Sequence, residues 1–190
     1  MTFLVVFMDL GITQLAIRDY QHLDEKNRRQ YLITGLWTKT RLSLAVSIVF
    51  IGVLWFTADS TFLWIIGIIL LTNNMTNSFL EYIRSTFRSL QKGETELRIK
   101  FLQGVGNLLL IPLLFVFKSL PVNLIGQSLV SIITVGYAWY LVQQRQLQTH
   151  EPEVMVTKKQ LISNGWMFSV SVLFVSLYYY IDTLILQHYH

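Results

Sequence analysis

The chain has 190 residues, of which 53% are hydrophobic and only 14% are charged, whereas soluble domains usually carry about 25% charged residues. It contains no cysteine, which excludes disulfides, thiolate metal sites and a cysteine nucleophile. The formal net charge is +4, but the lysines and arginines lie between apolar segments, so the positive charge does not indicate a nucleic-acid partner.

Six apolar segments follow one another along the chain, and each approaches the roughly 20 residues that an α-helix needs to cross a bilayer. We therefore expect an all-α, polytopic transmembrane helical bundle and label its helices a to f. Their predicted bounds are 1–17, 42–56, 62–80, 99–117, 120–142 and 161–187. Helix b is short, although Leu36 and Trp37 extend it if Lys39 and Arg41 reach the headgroups with their charged ends.

The lysines and arginines alternate between the connections that join these helices. Successive connections hold six, none, five, one and three of them. Because basic residues concentrate on the cytoplasmic side of a membrane, this pattern places segments 18–41, 84–100 and 145–159 in the cytoplasm and Met1 outside. An outside start without a signal peptide is awkward for membrane insertion. We therefore expect that the sequence is a piece of a longer protein.

The most polar segment of the chain is 143–160, which contains Pro152. Its composition favours a cytoplasmic linker between two helical lobes. An ordinary long loop within one bundle has the same composition, so the sequence alone leaves both interpretations open.

Two acidic residues lie well inside apolar segments, Asp9 in helix a and Asp182 in helix f. A charged carboxylate at the bilayer centre costs about 2.5 to 3.5 kcal/mol on insertion scales, so such residues normally face a bundle interior or a wet cavity. Thr13 shares a helix face with Asp9, and Tyr178 shares one with Asp182. Either the two acids line a substrate or proton path, or they hold helices together through hydrogen bonds.

A polar stripe runs along helix c from mid-membrane towards the cytoplasm. Its residues follow one another at steps of three or four, which places them on one helix face: Asn73, Asn77, Glu81, Arg84 and Arg88. Such a stripe avoids lipid. It either lines a cavity whose inner mouth attracts anions, because guanidinium groups bind phosphate through two hydrogen bonds, or it combines interhelical hydrogen bonds with an ordinary basic rim.

The four histidines are scattered or terminal, and no pair within one helix has the spacing of a metal site. We expect neither a bound metal nor a cofactor.

Three segments together resemble a known family. MDLGITQLAIRDY resembles the second helix of the bacterial lipid-linked oligosaccharide (O-antigen and polysaccharide) flippases, in which an intramembrane D-x-G is followed by a cytoplasmic Arg. FLEYIRSTFRSLQKGETELRIKFLQGVGNLLLIPLLF resembles their fourth helix, basic loop and fifth helix, and YYYIDTLILQ resembles their seventh helix. These flippases belong to a superfamily that also contains the MATE drug exporters and the lipid II flippases.

The resemblance covers nearly the whole chain and implies an incomplete two-lobed transporter. On this mapping residues 1–142 are the second to sixth helices of the family and form the first lobe, 143–160 is the interlobe linker, and 161–190 is the first helix of the second lobe. The first helix and nearly all of the second lobe are absent from this sequence.

The resemblance further implies a flippase, not an enzyme, which moves undecaprenyl-pyrophosphate-linked oligosaccharide across the bacterial inner membrane by alternating access. The protein would then contact membrane lipids and this substrate. Arg18, Arg84 and Arg88 would attract the pyrophosphate, and Asp9 and Asp182 would bind a coupling cation, a proton or sodium, or shape a hydrophilic lumen. The amides of the helix c stripe would line the same path.

Three other functions compete with this interpretation. A MATE-type drug or cation antiporter shares the two-lobed fold and would use the same buried acids. A membrane-embedded glycan polymerase or glycosyltransferase would need convergent acids, a metal-binding acidic motif or a large external loop, none of which the sequence contains. A noncatalytic remnant or interaction subunit is the third.

Overall fold

The computed structural model describes residues 2–23, 25–58, 60–117, 119–146, 165–175 and 177–178, which contain helices and no strand. Seven α-helices and one short 3-10 turn, Tyr20–His22, account for most of them. The α-helices are α1 (Thr2–Asp9), α2 (Ile12–Asp19), α3 (Glu25–Thr57), α4 (Thr61–Ser89), α5 (Gly93–Phe117), α6 (Leu120–Gln146) and α7 (Gly165–Val175). The predicted all-α fold class is confirmed.

Among the described residues, three helical segments are long and apolar enough to cross a membrane: Asn27–Thr57, Thr61–Ser89 and Pro121–Gln144. Their most apolar stretches are only 6%, 22% and 33% buried within the protein. The exposed side chains include Val49, Trp55 and Phe56, which are 67%, 74% and 86% exposed. Continuous apolar surface of this extent requires lipid around it, because water would penalise it heavily. The chain is a membrane protein.

Predicted helix a is not continuous, which corrects the sequence-based expectation. It is divided into α1 and α2 at Leu10 and Gly11, whose φ angles are 41° and 69°. Left-handed backbone is rare for residues other than glycine, and it ends an α-helix. Hydropathy reports the solvent that a segment prefers and not its backbone angles, so the apolar run from Met1 to Ile17 did not reveal the break.

Predicted helix b was too short. Helix α3 has 33 residues, or about 50 Å at 1.5 Å per residue, so it extends well beyond the roughly 30 Å hydrocarbon layer. Lys39 and Arg41 were expected at the edge of the membrane, before the start of the helix, but both lie within helix α3. Arg41 is exposed, whereas Lys39 is buried and does not extend to the headgroups.

The other connections are also shorter in the structure than the sequence predicted. Helices α4 and α5 continue through most of the basic segment 84–100, and only residues 90–92 separate them. Helix α6 continues to Gln146, so the first four residues of the predicted linker are helical, and the rest of that linker lies outside the described residues. Predicted helix f contains α7, and its remaining turns lie largely outside them as well.

Helix α4 is the centre of the bundle, since it packs against α1, α2, α3, α5 and α6. The core lies towards its C-terminal end, where Leu80, Tyr82 and Ile83 are almost fully buried. The Tyr82 hydroxyl donates to the carbonyl oxygen of Tyr31 at 3.3 Å and so ties α4 to α3. This packing holds one face of α4 against α1 and α2, and the candidate site lies on that face.

Candidate functional site

A cavity of about 430 Å³ lies between α1, α2, α3, α4 and α7. Apolar side chains line part of it, but most of the lining residues are polar or charged: Asp9, Thr13, Gln14, Lys39, Asn77, Ser78, Glu81, Arg84, Arg88 and Ser169. Polar side chains between membrane helices need hydrogen-bonding partners, which lipid cannot provide.

An ion pair between Lys39 and Asp9 forms one end of the cavity. The Lys39 ammonium contacts Asp9 Oδ1 and donates to Thr13 Oγ1 and to the carbonyl oxygen of Ser78, both at 3.0 Å. The Lys39 side chain is 1% exposed and that of Asp9 is 19% exposed. All three N–H donors of the ammonium therefore have acceptors, which a buried charge requires.

The break between α1 and α2 positions the acidic partner. Asp9 is the last residue of α1, and Thr13 lies in the first turn of α2. Thr13 donates its hydroxyl to Asp9 Oδ1 at 2.5 Å and its backbone N–H to Asp9 Oδ2 at 3.3 Å. The carboxylate thus accepts a hydrogen bond from one of the N–H groups that the start of a helix leaves unpaired, as a capping side chain does.

The other end of the cavity carries two arginines from α4. Arg84 Nη2 lies 2.5 Å from Glu81 Oε2, and Arg88 Nη2 lies 3.3 Å from Glu81 Oε1. Arg88 also contacts Glu96 of α5 at 2.6 Å. The hydrogen bond from Arg88 lowers the pKa of Glu96 to about 2, so Glu96 is ionised at neutral pH.

A chain of side-chain amides connects the arginines to the middle of the bundle. Arg84 donates to Gln103 Oε1 at 3.0 Å, and Gln103 donates to Asn77 Oδ1 at 3.1 Å. Asn77 in turn donates to Asn73 Oδ1 at 2.9 Å. Gln103 belongs to α5, so the predicted stripe on α4 contacts both the cavity and a neighbouring helix.

The structure brings four of the seven predicted site residues together at the cavity: Asp9, Asn77, Arg84 and Arg88. Asn73 lies beyond the lining and contacts Asn77. Arg18 does not line the cavity. Its exposed guanidinium pairs with Asp19 at 2.6 Å. Asp182 lies outside the described residues.

Sequence reasoning missed Lys39 and Ser169 as cavity residues. The shortness of predicted helix b was the available signal for Lys39, since a helix that continues through a lysine must either bury that lysine or extend it to the headgroups. Nothing in the sequence distinguished Ser169 from other serines. In the part of the chain that the structure describes, no group of three or more His, Cys, Asp or Glu side chains is arranged to hold a metal ion.

Comparison with known proteins gives one family match. The model of the family described as "Polysaccharide biosynthesis protein" matches residues 1–190, which is the whole chain. Neither the curated proteins nor the solved structures give a significant match. The match agrees with the resemblance that the three sequence motifs indicated, and the chain belongs to the polysaccharide biosynthesis protein family.

Proposed function

We propose that this chain is part of a flippase that moves undecaprenyl-pyrophosphate-linked oligosaccharide from the cytoplasmic to the outer leaflet of the bacterial inner membrane, without covalent chemistry. Six membrane crossings in a two-lobed, MATE-like arrangement belong to the same proposal. The family supports a role in polysaccharide biosynthesis. The observation that carries the proposal is the pair Arg84 and Arg88, which line the cavity from helix α4.

The chemistry of the cavity suits a diphosphate head group. Guanidinium groups bind phosphate through two parallel hydrogen bonds. Ser78 and Ser169 also line the cavity, and their hydroxyl groups are buried and have no hydrogen-bond partner among the described residues. A volume of about 430 Å³ corresponds to on the order of ten waters, which is room for a diphosphate.

The cavity supports an antiporter for cationic drugs less well. Such a transporter needs a free carboxylate in its lumen, but the Asp9 carboxylate already pairs with the Lys39 ammonium. We therefore propose that Asp9 and Lys39 together shape a hydrophilic lumen, and that any coupling proton or sodium ion acts through this pair or through Asp182.

Transport of undecaprenyl-pyrophosphate-linked oligosaccharide by the full-length protein in proteoliposomes tests the proposal. We expect the double variant Arg84→Gln and Arg88→Gln to lose about tenfold or more of the transport rate, because each charge-assisted hydrogen bond to an anion contributes about 1.5 to 3 kcal/mol. Arg98→Gln is the matched control, since Arg98 pairs with Glu94 on the exposed surface of α5 and does not line the cavity.

Two results would overturn the proposed function. One is transport by the double arginine variant at the rate of the unmodified protein. The other is transport of a cationic dye by the unmodified protein with no transport of the lipid-linked sugar, which would favour the antiporter.

A further inference from the structure

The two cavity arginines are not free in this structure, because one carboxylate lies between them. Glu81 is one turn before Arg84 and two turns before Arg88 on α4. It accepts from Arg84 Nη2 at 2.5 Å and from Arg88 Nη2 at 3.3 Å. The Glu81 side chain is 39% exposed and lines the cavity. Any anion that enters must therefore compete with Glu81 for the same donors.

The second acidic partner of Arg88 is held differently. Glu96 is 11% exposed, lies outside the cavity lining, and accepts from both Nε and Nη2 of Arg88. It also pairs with Lys100 at 2.8 Å. Glu96 therefore keeps Arg88 in position whether or not a ligand is bound, whereas Glu81 makes only single contacts and faces an open space.

Arg84 also remains in position without Glu81. Its side chain is only 14% exposed, and Nη1 is held by Gln103 at 3.0 Å. Its Nε is buried and has no hydrogen-bond partner among the described residues. Nε and Nη2 form one edge of the guanidinium plane, and this is the edge that a phosphate binds with two parallel hydrogen bonds. Glu81 accepts a hydrogen bond from Nη2 of that edge but not from Nε.

We propose that Glu81 is a built-in, displaceable ligand of a phosphate site formed by Arg84 and Arg88. A diphosphate displaces Glu81 because it carries more negative charge than one carboxylate and can contact Arg84 and Arg88 at once. Glu81 therefore raises the threshold for binding an anion at this site. This inference rests on the proposed function and adds to it the residue that competes with the substrate for the two arginines.

Equilibrium binding of undecaprenyl pyrophosphate to the full-length protein in nanodiscs tests the inference. We expect Glu81→Gln to bind this lipid about two- to fivefold more tightly, which is the range that a partly exposed ion pair provides. Undecaprenyl monophosphate should gain by a similar factor, because it competes with the same carboxylate for the same arginines. Glu94→Gln removes the same charge from an exposed pair outside the cavity, and we expect it to bind both lipids as the unmodified protein does.

A second variant covers the case in which Glu81→Gln unfolds the protein, as judged by its melting temperature in detergent. Glu81→Asp keeps the charge but shortens the side chain by one methylene, which withdraws the carboxylate from the arginines, and we again expect tighter binding. Unchanged or weaker lipid binding by the folded Glu81 variants would overturn the inference. If the double arginine variant still loses binding, the proposed function stands alone; if that variant binds the lipid normally, the proposed function fails as well.

Discussion

At the scale of single residues, the pair formed by Lys39 and Asp9 is asymmetric. The Lys39 side chain is 1% exposed, whereas that of Asp9 is 19% exposed and lines the cavity. Water can therefore solvate the carboxylate if its partner is removed, but it cannot reach the ammonium. Because an unpaired buried charge is costly, the two possible single truncations of this pair should not be equivalent.

We expect Asp9→Leu to destabilise the protein by about 3 to 5 kcal/mol, the usual cost of leaving a buried charge unpaired, and Lys39→Met to cost less. The double variant should lose less than the sum of the two losses, since no charge remains. The measurement is the free energy of unfolding in mild detergent. Asp19→Asn is the control, because its pair with the 55% exposed Arg18 is solvated and should contribute at most about 1 kcal/mol. Equal losses for the two single variants would contradict this account.

At the scale of elements, the sequence predicts that helices exist much better than it predicts where they end. Apolar runs mark each of α3, α4, α5 and α6, because lipid-facing helices must be apolar along their length. The ends differ because the helices continue beyond the apolar runs, where hydropathy gives no signal. The break at Gly11 is invisible for a different reason, since it is a change of backbone angles, which hydropathy does not report, at a contact with helix α7.

The close contact between Gly11 and Gly165 indicates that the fold needs a glycine at position 11. A Cβ atom on Gly11 would lie 2.1 Å from the carbonyl oxygen of Gly165 and would sit on a backbone with φ of 69°. We expect Gly11→Ala to lower the free energy of unfolding by more than the roughly 1 to 2 kcal/mol that left-handed backbone alone costs an L-residue. The thermal midpoint in detergent is the measurement.

Gly104→Ala provides the matched control. Gly104 lies within helix α5, and a Cβ atom added there meets nothing within 4 Å. Alanine is the better helix former by about 1 kcal/mol, so this change should leave the thermal midpoint unchanged or raise it. Similar losses for the two alanine variants would mean that close packing of the break against α7 does not stabilise the fold.

At the scale of the whole molecule, the candidate site could be predicted only where one helix supplies it. Asn77, Arg84 and Arg88 follow helical spacing on α4, so their common face was predictable from the sequence. Lys39 reaches the site from α3 and Ser169 from α7. Their positions depend on how helices pack, and a single sequence contains no direct signal for packing. Asp9 was predictable from the cost of a carboxylate in lipid, but its partner was not.

The whole molecule should also present two kinds of surface that differ in access to water. Val49 on α3 is 67% exposed and Asn77 on α4 is only partly exposed, but Val49 faces lipid in the proposed arrangement and Asn77 faces the cavity. The chain has no cysteine, so a single cysteine introduced at either position is the one thiol of this chain that can be labelled. A membrane-impermeant maleimide, which reacts with thiolates in water, should label Asn77→Cys from the cytoplasmic side and leave Val49→Cys unlabelled.

Inverted membrane vesicles expose the cytoplasmic side and allow this labelling to be measured as an extent at fixed time. Labelling of both cysteines after detergent solubilisation and unfolding is the control that each thiol is reactive. We expect the order of labelling to be opposite to the order of side-chain exposure, because exposure at a protein surface equals contact with water only where no lipid covers that surface. Rapid labelling of Val49→Cys in intact vesicles would mean that this face of α3 contacts water, and the bundle would then have no lipid-facing surface there.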